Sequence, residues 1–474
     1  MARLVVISNR VSVPSGDGTN RAGGLEVAVR TALKREPGIW FGWSGRVVGQ
    51  RDEVTTDTIE REGRNFVVTD LVEEDYQEYY NGFANRVLWP ILHYRLDLAE
   101  FSRRDLSGYL RVNDHFAAEL EKVLRPDDLI WVHDYHLLPF AKALRDRGHR
   151  NKIGFFLHIP FPPPDILTAL PNHERLIASL THYDLVGFQT DNDADNFARY
   201  LSGELRVPNR DRRIFITADR EVHIGAFPVG IETAEFSRLA RRSIRSPFVQ
   251  GVLESLAGRA MIIGVDRLDY SKGLVLRMDA FERFLQTYVD LRGKVTYLQI
   301  TPKSRSEIQE YAELEQQIGA AAGRINGAYG EASWTPIRYV NRAHSRSALA
   351  GLFRGARAAL VTPLRDGMNL VAKEYVAAQD PEDPGVLILS RFAGAANEFD
   401  AALLVNPYDT EAVAGAIARA LAMPVDERRA RQEALYETLL SNDIKFWADR
   451  FLAALARPRY PQSRFQSAVG LGSR

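Results

Sequence analysis

The stretch MIIGVDRLDYSKGLVLRMDAFERFL, residues 261–285, contains a short apolar run, a polar loop and a segment with helical spacing. The apolar run, residues 261–265, is rich in branched aliphatic residues, which is typical of a buried strand. In the last part Leu274, Met278, Phe281 and Leu285 recur at helical intervals and form one apolar stripe. The stretch therefore predicts a strand, a loop and a helix in succession, which is the repeating unit of a parallel α/β sheet.

The same unit recurs on both sides of this stretch. The first half of the chain predicts strands over residues 4–7, 129–132, 153–157, 185–188 and 222–227. The second half predicts strands over residues 261–265, 295–300, 358–361, 386–389 and 403–405. This pattern predicts an α/β protein with two tandem Rossmann-like, doubly wound domains that face each other across a cleft. Ligands of such sheets bind at the carboxyl ends of the strands.

The domain boundary is predicted near residues 228–232, where the sequence Pro-Val-Gly-Ile-Glu closes a strand and a polar segment follows. We expect a first domain over residues 1–232 and a second over residues 233–445. A terminal helix over residues 446–457 is expected to pack back on the first domain. Residues 458–474 are rich in Pro, Ser, Gly and Arg, and we expect a mobile tail there.

The composition excludes several classes of function. Lys plus Arg and Asp plus Glu both number 61, so the formal net charge is zero and no overall field favours nucleic acid or a membrane surface. The chain has no Cys, which removes disulfides and thiolate chemistry and fits a reducing compartment. No signal sequence and no apolar stretch long enough to span a bilayer occurs. We expect a cytoplasmic protein without nucleic-acid or membrane partners.

Familiar cofactor motifs are missing from the sequence. Neither GxxxxGK[ST] nor GxGxxG occurs, so the motifs for an ATPase or a simple dehydrogenase are lacking. His133 and His136 form an HxxH pair, but no third ligand lies within local reach and there is no HExxH pattern. We therefore expect no metal and no cofactor.

The most specific motif is TPLRDGMNLVAKEY, residues 362–375, which follows a predicted strand. Its loop crosses Asp366 and Gly367, and a helix is expected to start near Asn369. The free amides over residues 368–371 could then hold a diphosphate. The carboxylate of Glu374, about one turn into the helix, could accept both hydroxyls of a ribose.

Other polar residues follow predicted strands at the same edge. Arg267 and Lys272 offer two cations to one anion, the alternative being a solvated charge cluster. Asp134 could accept hydrogen bonds from sugar hydroxyls, and His158 lies in a proline-stiffened loop, although a lone histidine there is usually structural. Arg10, with Gly23 and Gly24 before a helical segment over residues 25–34, could contact a phosphate; an ordinary turn beside a surface arginine explains these residues equally well.

At these residues the sequence resembles the trehalose-6-phosphate synthases, which form a retaining glycosyltransferase family, family 20, with the two-domain GT-B fold. The resemblance extends from about Leu4 to about Trp447. Its longest matching stretches are residues 39–45, 87–90, 133–139, 267–273 and 366–374.

The resemblance implies an enzyme that transfers glucose from a nucleotide glucose, with UDP-glucose expected, to glucose 6-phosphate with retention and without a metal. It implies acceptor binding by the first domain and nucleotide-sugar binding by the second. The implied acceptor residues are Arg10, Trp40, Tyr80, Trp89, Asp134 and Arg305, with the arginines and Tyr80 on the phosphate. The implied nucleotide-sugar residues are Gly23, Gly24, Arg267, Lys272, His344, Asp366, Gly367, Met368, Asn369, Leu370, Val371 and Glu374. The implied catalytic residues are His158, Asp366, Arg267 and Lys272.

Three alternatives stand beside this interpretation. A pseudo-glycosyltransferase that couples cyclitol units should differ around His158 and Asp366, and this chain does not. A non-catalytic sensor of sugar phosphates would have no need of Arg267 and Lys272, and both are present. A nucleotide-sugar epimerase would have no need of the acceptor set.

The base of the donor stays open, because His344 stands where some relatives carry a bulkier apolar residue. The oligomeric state, including a homo-oligomer, stays open as well. Because no phosphatase domain is recognised in the sequence, we expect a separate trehalose-6-phosphate phosphatase to act on the product.

Overall fold

The structure of the protein is a computed structural model that describes residues 2–14, 29–30, 33, 38–61, 63–303 and 309–457. Its strands form two sheets. The strands of the first sheet are β1 (Leu4–Arg10), β2 (Gly38–Val48), β3 (Thr56–Arg61), β4 (Arg64–Val72), β5 (Leu129–His133), β6 (Lys152–Phe156), β7 (Leu185–Phe188), β8 (Asn209–Asp211), β9 (Ile214–Ile216) and β10 (Glu221–Ala226). We call this sheet and its helices the N-terminal lobe.

The first sheet has the order β3-β4-β2-β1-β5-β6-β7-β10-β9-β8. The strands from β4 to β10 in this order pair in parallel, and the antiparallel pairs lie at the two edges. The chain first builds outward from β1 through β2 and then returns to the other side of β1 with β5. This reversal leaves a crevice at the carboxyl ends of β1 and β5.

The second sheet contains β11 (Ala260–Val265), β12 (Val295–Ile300), β13 (Ile337–Val340), β14 (Ala358–Val361), β15 (Val386–Ser390) and β16 (Leu403–Val405). Its order is β13-β12-β11-β14-β15-β16, and all of its pairs are parallel. This is the Rossmann order, with the reversal between β11 and β14. We call this sheet and its helices the C-terminal lobe. The predicted fold class, two doubly wound α/β units, is confirmed.

Helices cover both faces of the sheets. In the N-terminal lobe they are Glu73–Asp75, a π-helical stretch Tyr76–Leu88, Trp89–Leu92, Arg103–Glu121, Phe140–Asp146, Pro164–Leu167, His173–Ala178 and Asp191–Gly203. The later helices are Thr233–Ser243, Pro247–Glu254, Leu274–Thr287, Gln309–Tyr329, Arg346–Gly355, Leu370–Ala378, Thr410–Ala422, Val425–Ser441 and Ile444–Ala456. Among the helices in the described ranges, none is both long and apolar enough to cross a bilayer.

The predicted strands lie within a few residues of the observed ones, but several strands were not predicted. The pair β2 and β4 lies inside the sheet, but small or polar residues interrupt the apolar run of each strand: Gly42, Ser44 and Gly45 in β2, and Thr69 and Asp70 in β4. The polar segment that follows the predicted domain boundary forms the helix Thr233–Ser243. The predicted helix over residues 25–34 and the predicted tail lie mostly or wholly outside the described residues.

The helix Ile444–Ala456 follows the C-terminal lobe in sequence but contacts the N-terminal lobe. The Phe451 ring stacks on Trp131, with 4.7 Å between ring centres. Gly154 of β6 and Gly187 of β7 leave room for that ring, because a Cβ atom on either would lie within 3 Å of it. The final described helix thus completes the core of the lobe that begins the chain.

Candidate functional site

The site lies where the two crevices face each other. A cleft of about 510 Å³ runs between the lobes. Among the predicted site residues, its lining contains Asp134, His158, Arg267, Lys272, His344, Asp366, Met368, Asn369, Leu370, Val371 and Glu374. Asp134 and His158 follow β5 and β6, whereas Arg267 and Asp366 follow β11 and β14. The parallel sheets therefore bring together residues that are far apart in sequence.

A lysine and a carboxylate meet at the centre of the cleft. Lys272 Nζ lies 2.5 Å from Asp366 Oδ2, and both side chains are about one-eighth exposed. The side-chain amide of Asn369 donates to the same carboxylate oxygen at 3.0 Å. Gly273 has a φ of 65° and ends the short turn that carries Lys272. The sequence predicted both charged residues for the site but not that they pair directly.

The helix Leu370–Ala378 points its amino end into the cleft. Asn369 precedes it with a φ of 75°, and its side-chain oxygen accepts a hydrogen bond from the amide of Ala372. The first amides of a helix have no acceptor inside the helix, so those of Leu370 and Val371 can bind an anion. An anion there would also be favoured by the helix dipole.

Glu374 lies farther along the same helix and also lines the cleft. Burial raises the pKa of its carboxyl to about 7, and the charge of Arg346 opposes this shift only partly. A carboxyl in such surroundings is stabilised in its charged form by hydroxyl groups that donate hydrogen bonds to it. The position fits a partner that carries hydroxyl groups.

A buried arginine that the sequence analysis missed holds the loops of this half of the site. Arg277 is 1% exposed and donates to Asp266, to the side chains of Thr362 and Gln299, and to the carbonyl of Lys272. These acceptors follow or end three neighbouring strands, β11, β12 and β14. The signal was available, because Arg277 is a charged residue three positions after Leu274 on an otherwise apolar helix face.

His158 reaches the cleft from the N-terminal lobe. Its Nε2 atom lies 3.1 Å from Nδ1 of the buried His133. Burial lowers the pKa of His158 to about 3, and burial together with the charge of His158 lowers the pKa of His133 well below its usual value. Both rings are therefore neutral near pH 7. Nδ1 of His158 takes no part in this contact and is suited to bind a ligand hydroxyl.

Asp134 stands beside His158 in a strained backbone conformation. Its φ is 77°, in the left-handed region that is uncommon for residues other than glycine. The amide of His158 donates to its carboxylate at 3.3 Å, and its own amide donates to the carbonyl of Phe156 at 2.9 Å. Strain of this kind is frequent at functional sites.

The predicted phosphate side of the acceptor site is a group of aromatic and cationic side chains next to Asp134. The Arg10 guanidinium carbon lies 5.6 Å from the centre of the Trp43 ring. The Tyr80 ring lies 6.0 Å from Trp43 and stacks on His136 at 5.7 Å. Tyr80 belongs to the π-helical stretch, a type of helix that is often found at functional sites. Neither Arg10 nor Tyr80 lines the cleft described above.

The two predicted tryptophans are buried. Trp89 is 4% exposed, and its ring lies 5.6 Å from that of Tyr135 and 4.1 Å from that of His93. Trp40 is 2% exposed and donates its indole N–H to the hydroxyl of Ser8. Trp40 therefore packs in the core beneath β1, and its predicted contact with the acceptor stays a prediction.

Three predicted residues, Gly23, Gly24 and Arg305, lie outside the described residues. His344 lies at one end of the cleft, where its ring is 5.3 Å from that of the exposed Phe248. Gly367 contacts the backbone of His158 across the cleft. Within the described ranges, no three His, Asp or Glu side chains gather in a way that could hold a metal ion.

Comparison with known proteins agrees with this architecture. The model of glycosyltransferase family 20 matches residues 4–457. The trehalose-6-phosphate synthase of Sinorhizobium fredii is 52% identical over 453 residues, which cover 95% of this chain and 98% of the relative. That of Enterobacter sp. is 48% identical over 471 residues, or 99% of this chain and 98% of the relative.

Solved structures give the same result. The α,α-trehalose-phosphate synthase of Burkholderia xenovorans in complex with glucose 6-phosphate is 47% identical, with a TM-score of 0.92 over 96% of this chain and 100% of that chain. The E. coli protein bound with UDP-2-fluoro glucose is 46% identical, with a TM-score of 0.91 over 97% of this chain and 100% of that chain. The two lobes and their cleft are those of the GT-B glycosyltransferases. The chain belongs to glycosyltransferase family 20.

Proposed function

We propose that this enzyme transfers glucose from UDP-glucose to glucose 6-phosphate with retention at the anomeric carbon, which gives α,α-trehalose 6-phosphate and UDP. The observation that carries the proposal is the cleft itself. The C-terminal side of the cleft presents the amino end of the helix Leu370–Ala378, the cations Arg267 and Lys272, and the Glu374 carboxyl with its raised pKa. The N-terminal side presents Asp134 and His158. This arrangement suits a nucleotide sugar facing a second sugar.

The C-terminal lobe would bind the donor. The diphosphate would lie at the amides of Leu370 and Val371 and against Arg267 and Lys272, where charge is neutralised without a metal ion. Glu374 would accept the ribose hydroxyls. Met368, Asn369 and Gly367 shape the loop before the helix. His344 would lie beside the base, and Gly23 and Gly24 would approach the donor from the other lobe.

The N-terminal lobe would bind the acceptor. Asp134 would accept hydrogen bonds from the sugar hydroxyls, and Trp89, at the start of the helix Trp89–Leu92, would support the ring. Arg10, Tyr80 and, from the C-terminal lobe, Arg305 would bind the phosphate. Trp40 would act through Ser8 and β1, since its ring is buried.

The reaction would take place on one face of the glucosyl ring. As the bond to the diphosphate breaks, negative charge grows on the leaving oxygen, and Arg267 and Lys272 stabilise it. That oxygen takes the proton of the attacking hydroxyl. Neutral His158 and the carboxylate side chain of Asp366 hold the transferred glucose, and the cleft shields the reacting carbon from water. Lys272 would then be shared between Asp366 and the diphosphate.

We also propose that the chain divides into an acceptor-binding part, residues 1–232, and a nucleotide-sugar-binding part, residues 233–445, with residues 446–457 returning to the first. The contacts of Phe451 support this division. Because sugar phosphates and nucleotide sugars are charged and do not cross membranes freely, we infer that the enzyme works in the cytoplasm. The product retains its phosphate, so a separate trehalose-6-phosphate phosphatase would act next.

The test is to incubate the purified protein with glucose 6-phosphate and UDP-, GDP- or ADP-glucose, each in turn, and to identify the product and its linkage by NMR. We expect α,α-1,1-linked trehalose 6-phosphate, formed fastest from UDP-glucose. The Asp366→Asn variant, prepared in the same way, controls for contaminating activity. A product with another linkage, or no sugar product from any donor, would reject the proposal.

A further inference from the structure

Two consecutive residues of the N-terminal lobe, Tyr94 and Arg95, contact the C-terminal lobe. Each contact pairs an aromatic ring of one lobe with a guanidinium group of the other. The guanidinium carbon of Arg365 lies 4.2 Å from the centre of the Tyr94 ring. The guanidinium carbon of Arg95 lies 5.5 Å from the centre of the Tyr270 ring. A cation within about 6 Å of an aromatic ring is attracted by its negative face. The two contacts are reciprocal, because each lobe contributes one ring and one cation.

The partners of these two residues are next to the ion pair of the cleft. Arg365 directly precedes Asp366, and Tyr270 stands two positions before Lys272. Lys272 and Asp366 are joined at 2.5 Å. The dipeptide thus touches both loops that carry the ion pair, the loop after β11 and the loop after β14. On its other side it follows the helix Trp89–Leu92, which belongs to the proposed acceptor site.

The backbone at Tyr94 supports a role for its side chain. Tyr94 has a φ of 65° at the end of that helix, and its amide donates to the carbonyl of Ile91 at 3.0 Å. The amide of Arg95 donates to the carbonyl of Pro90 at 2.8 Å. Glycine is the usual residue at such a position, because the Cβ atom of any other residue is crowded there and this costs free energy. A tyrosine in place of glycine indicates that the ring makes a contact worth this cost.

Neighbouring groups hold the four side chains in place. Arg365 lies between Tyr94 and Phe392, whose ring centre is 5.0 Å from the guanidinium carbon. Asp97 binds Arg95 with two hydrogen bonds of 2.9 and 2.7 Å. The contacts are therefore built into the fold on both sides of the cleft.

We propose that Tyr94 and Arg95 are positioning residues that fasten the two loops bearing Lys272 and Asp366 to the acceptor half of the site; this rests on the proposed function. The donor groups and the acceptor groups belong to different lobes, and a displacement of about 1 Å between reacting groups can lower a rate about 100-fold. The contacts Tyr94–Arg365 and Arg95–Tyr270, which we call the clasp, fix the distance between the donor groups and the acceptor groups. Loss of these contacts should also misplace the acceptor, so that water competes better for the donor and hydrolysis rises relative to transfer.

The experiment compares wild type with Tyr94→Asn and Arg365→Gln. Asparagine adopts positive φ more readily than other residues with side chains, so Tyr94→Asn keeps the turn and removes the ring. We expect kcat for transfer to fall at least about tenfold in each variant and the ratio of donor hydrolysis to transfer to rise. The Kd for UDP, measured by calorimetry, should stay within about twofold, because most of the proposed UDP contacts lie in the C-terminal lobe. Tyr94→Phe, which keeps the ring, should retain near-wild-type kcat.

A matched control is Arg292→Gln. Arg292 makes a similar contact with Tyr329, at 5.1 Å, but lies before β12, at the end of the sheet away from the cleft. It should leave kcat and the hydrolysis ratio unchanged. Unchanged kcat in both clasp variants, or a loss of UDP affinity equal to the loss of kcat, would overturn the proposal.

Hydrogen exchange provides a readout that does not need activity. The amides of residues 91–97 should exchange faster in Arg365→Gln than in wild type, and no difference there would also count against the clasp. If wild type itself transfers no glucose, the proposed function fails, and the exchange result still decides whether the lobes are fastened at Tyr94.

Discussion

The α-carbon of Gly367 faces the carbonyl oxygen of His158 so closely that a Cβ atom on Gly367 would lie 2.1 Å from that oxygen. The two residues belong to different lobes. The atoms that would obstruct the Cβ atom are the carbonyl group of His158 and the α-carbon of Ile159, which are all backbone atoms. No side chain can be accommodated there unless the loop or the lobe moves. The position therefore sets how near Asp366, the preceding residue, comes to the acceptor side.

The first prediction follows from this contact. Gly367→Ala should lower kcat/KM at least about tenfold, because even a small shift of Asp366 misplaces the transferred glucose. Steady-state kinetics measure the change in kcat/KM, and a thermal melt measures any change in stability separately. The control is Gly319→Ala, in the helix Gln309–Tyr329, where a Cβ atom would meet nothing within 4 Å. It should keep full activity and gain up to about 1 kcal/mol of stability. Full activity in Gly367→Ala would show that the lobes need not approach this closely.

The second prediction concerns the ion pair. Lys272→Ala should reduce kcat/KM by roughly 100-fold or more, because it removes a cation that stabilises the leaving diphosphate. Lys445→Ala, at an exposed position of the terminal helix, is the matched control and should change the rate little. Rates are compared at equal protein concentration after both variants are shown to melt near wild type. A folded Lys272→Ala variant with wild-type kcat/KM would remove Lys272 from the mechanism.

The third prediction tests Arg305, which lies outside the described residues. Arg305→Ala should lose most of the preference for glucose 6-phosphate over glucose, since a charge-assisted hydrogen bond to a phosphate contributes about 1.5–3 kcal/mol. The selectivity should fall roughly tenfold to a hundredfold, measured as the ratio of kcat/KM for the two acceptors at fixed salt. Lys303→Ala is the control, because Lys303 pairs with Glu315 at 3.0 Å. Equal slowing with both acceptors would exclude Arg305 as the phosphate ligand.

The fourth prediction uses the raised pKa of Glu374, about 7. Ribose hydroxyls donate to the charged carboxylate, so donor binding favours its deprotonation and lowers its pKa. Affinity for UDP-glucose should therefore be highest above pH 7 and fall by up to about tenfold per unit below it. Calorimetry without acceptor, between pH 5.5 and 8, measures this slope. Glu374→Gln has no such proton and should show a flat profile; an equal slope in both would assign the titration to another group.

The fifth prediction is that excess chelator leaves the activity intact. The two cations, Arg267 and Lys272, together with the helix amino end, supply the charge that a metal would otherwise provide. The measurement is the initial rate with and without EDTA, and again after adding back Mg²⁺ or Mn²⁺. Loss on chelation with recovery on either ion would contradict the prediction.

The sequence predicted most of the parallel strands because each of those is a short apolar run bounded by a loop. Residues 295–300 and 358–361 match β12 and β14 in full. The donor side of the site was equally accessible, since Asp366, Asn369 and Glu374 lie in one contiguous stretch. Local patterns carry this information because a strand, its loop and the next helix are consecutive in the chain.

Contacts between distant segments could not be predicted in this way. Nothing local shows that Lys272 and Asp366 pair, that Arg277 joins three strand ends, or that Tyr94 meets Arg365. A sequence motif also does not show which way a side chain points. Trp40 belongs to a motif of the family, but on its strand it could point into the core or toward a ligand, and the structure buries it. Strand β4 was missed because the polar residues Thr69 and Asp70, although buried, interrupt its apolar run.

The return of the helix Ile444–Ala456 to the first lobe has a consequence for biosynthesis. Trp131 and Phe156 of the first sheet are covered by Trp447 and Phe451. While the ribosome is still translating the second lobe, these aromatic side chains have no cover, although most of their own sheet has already emerged. We therefore expect the nascent first lobe to expose an apolar surface while the second lobe is translated, which makes it prone to aggregation at that stage.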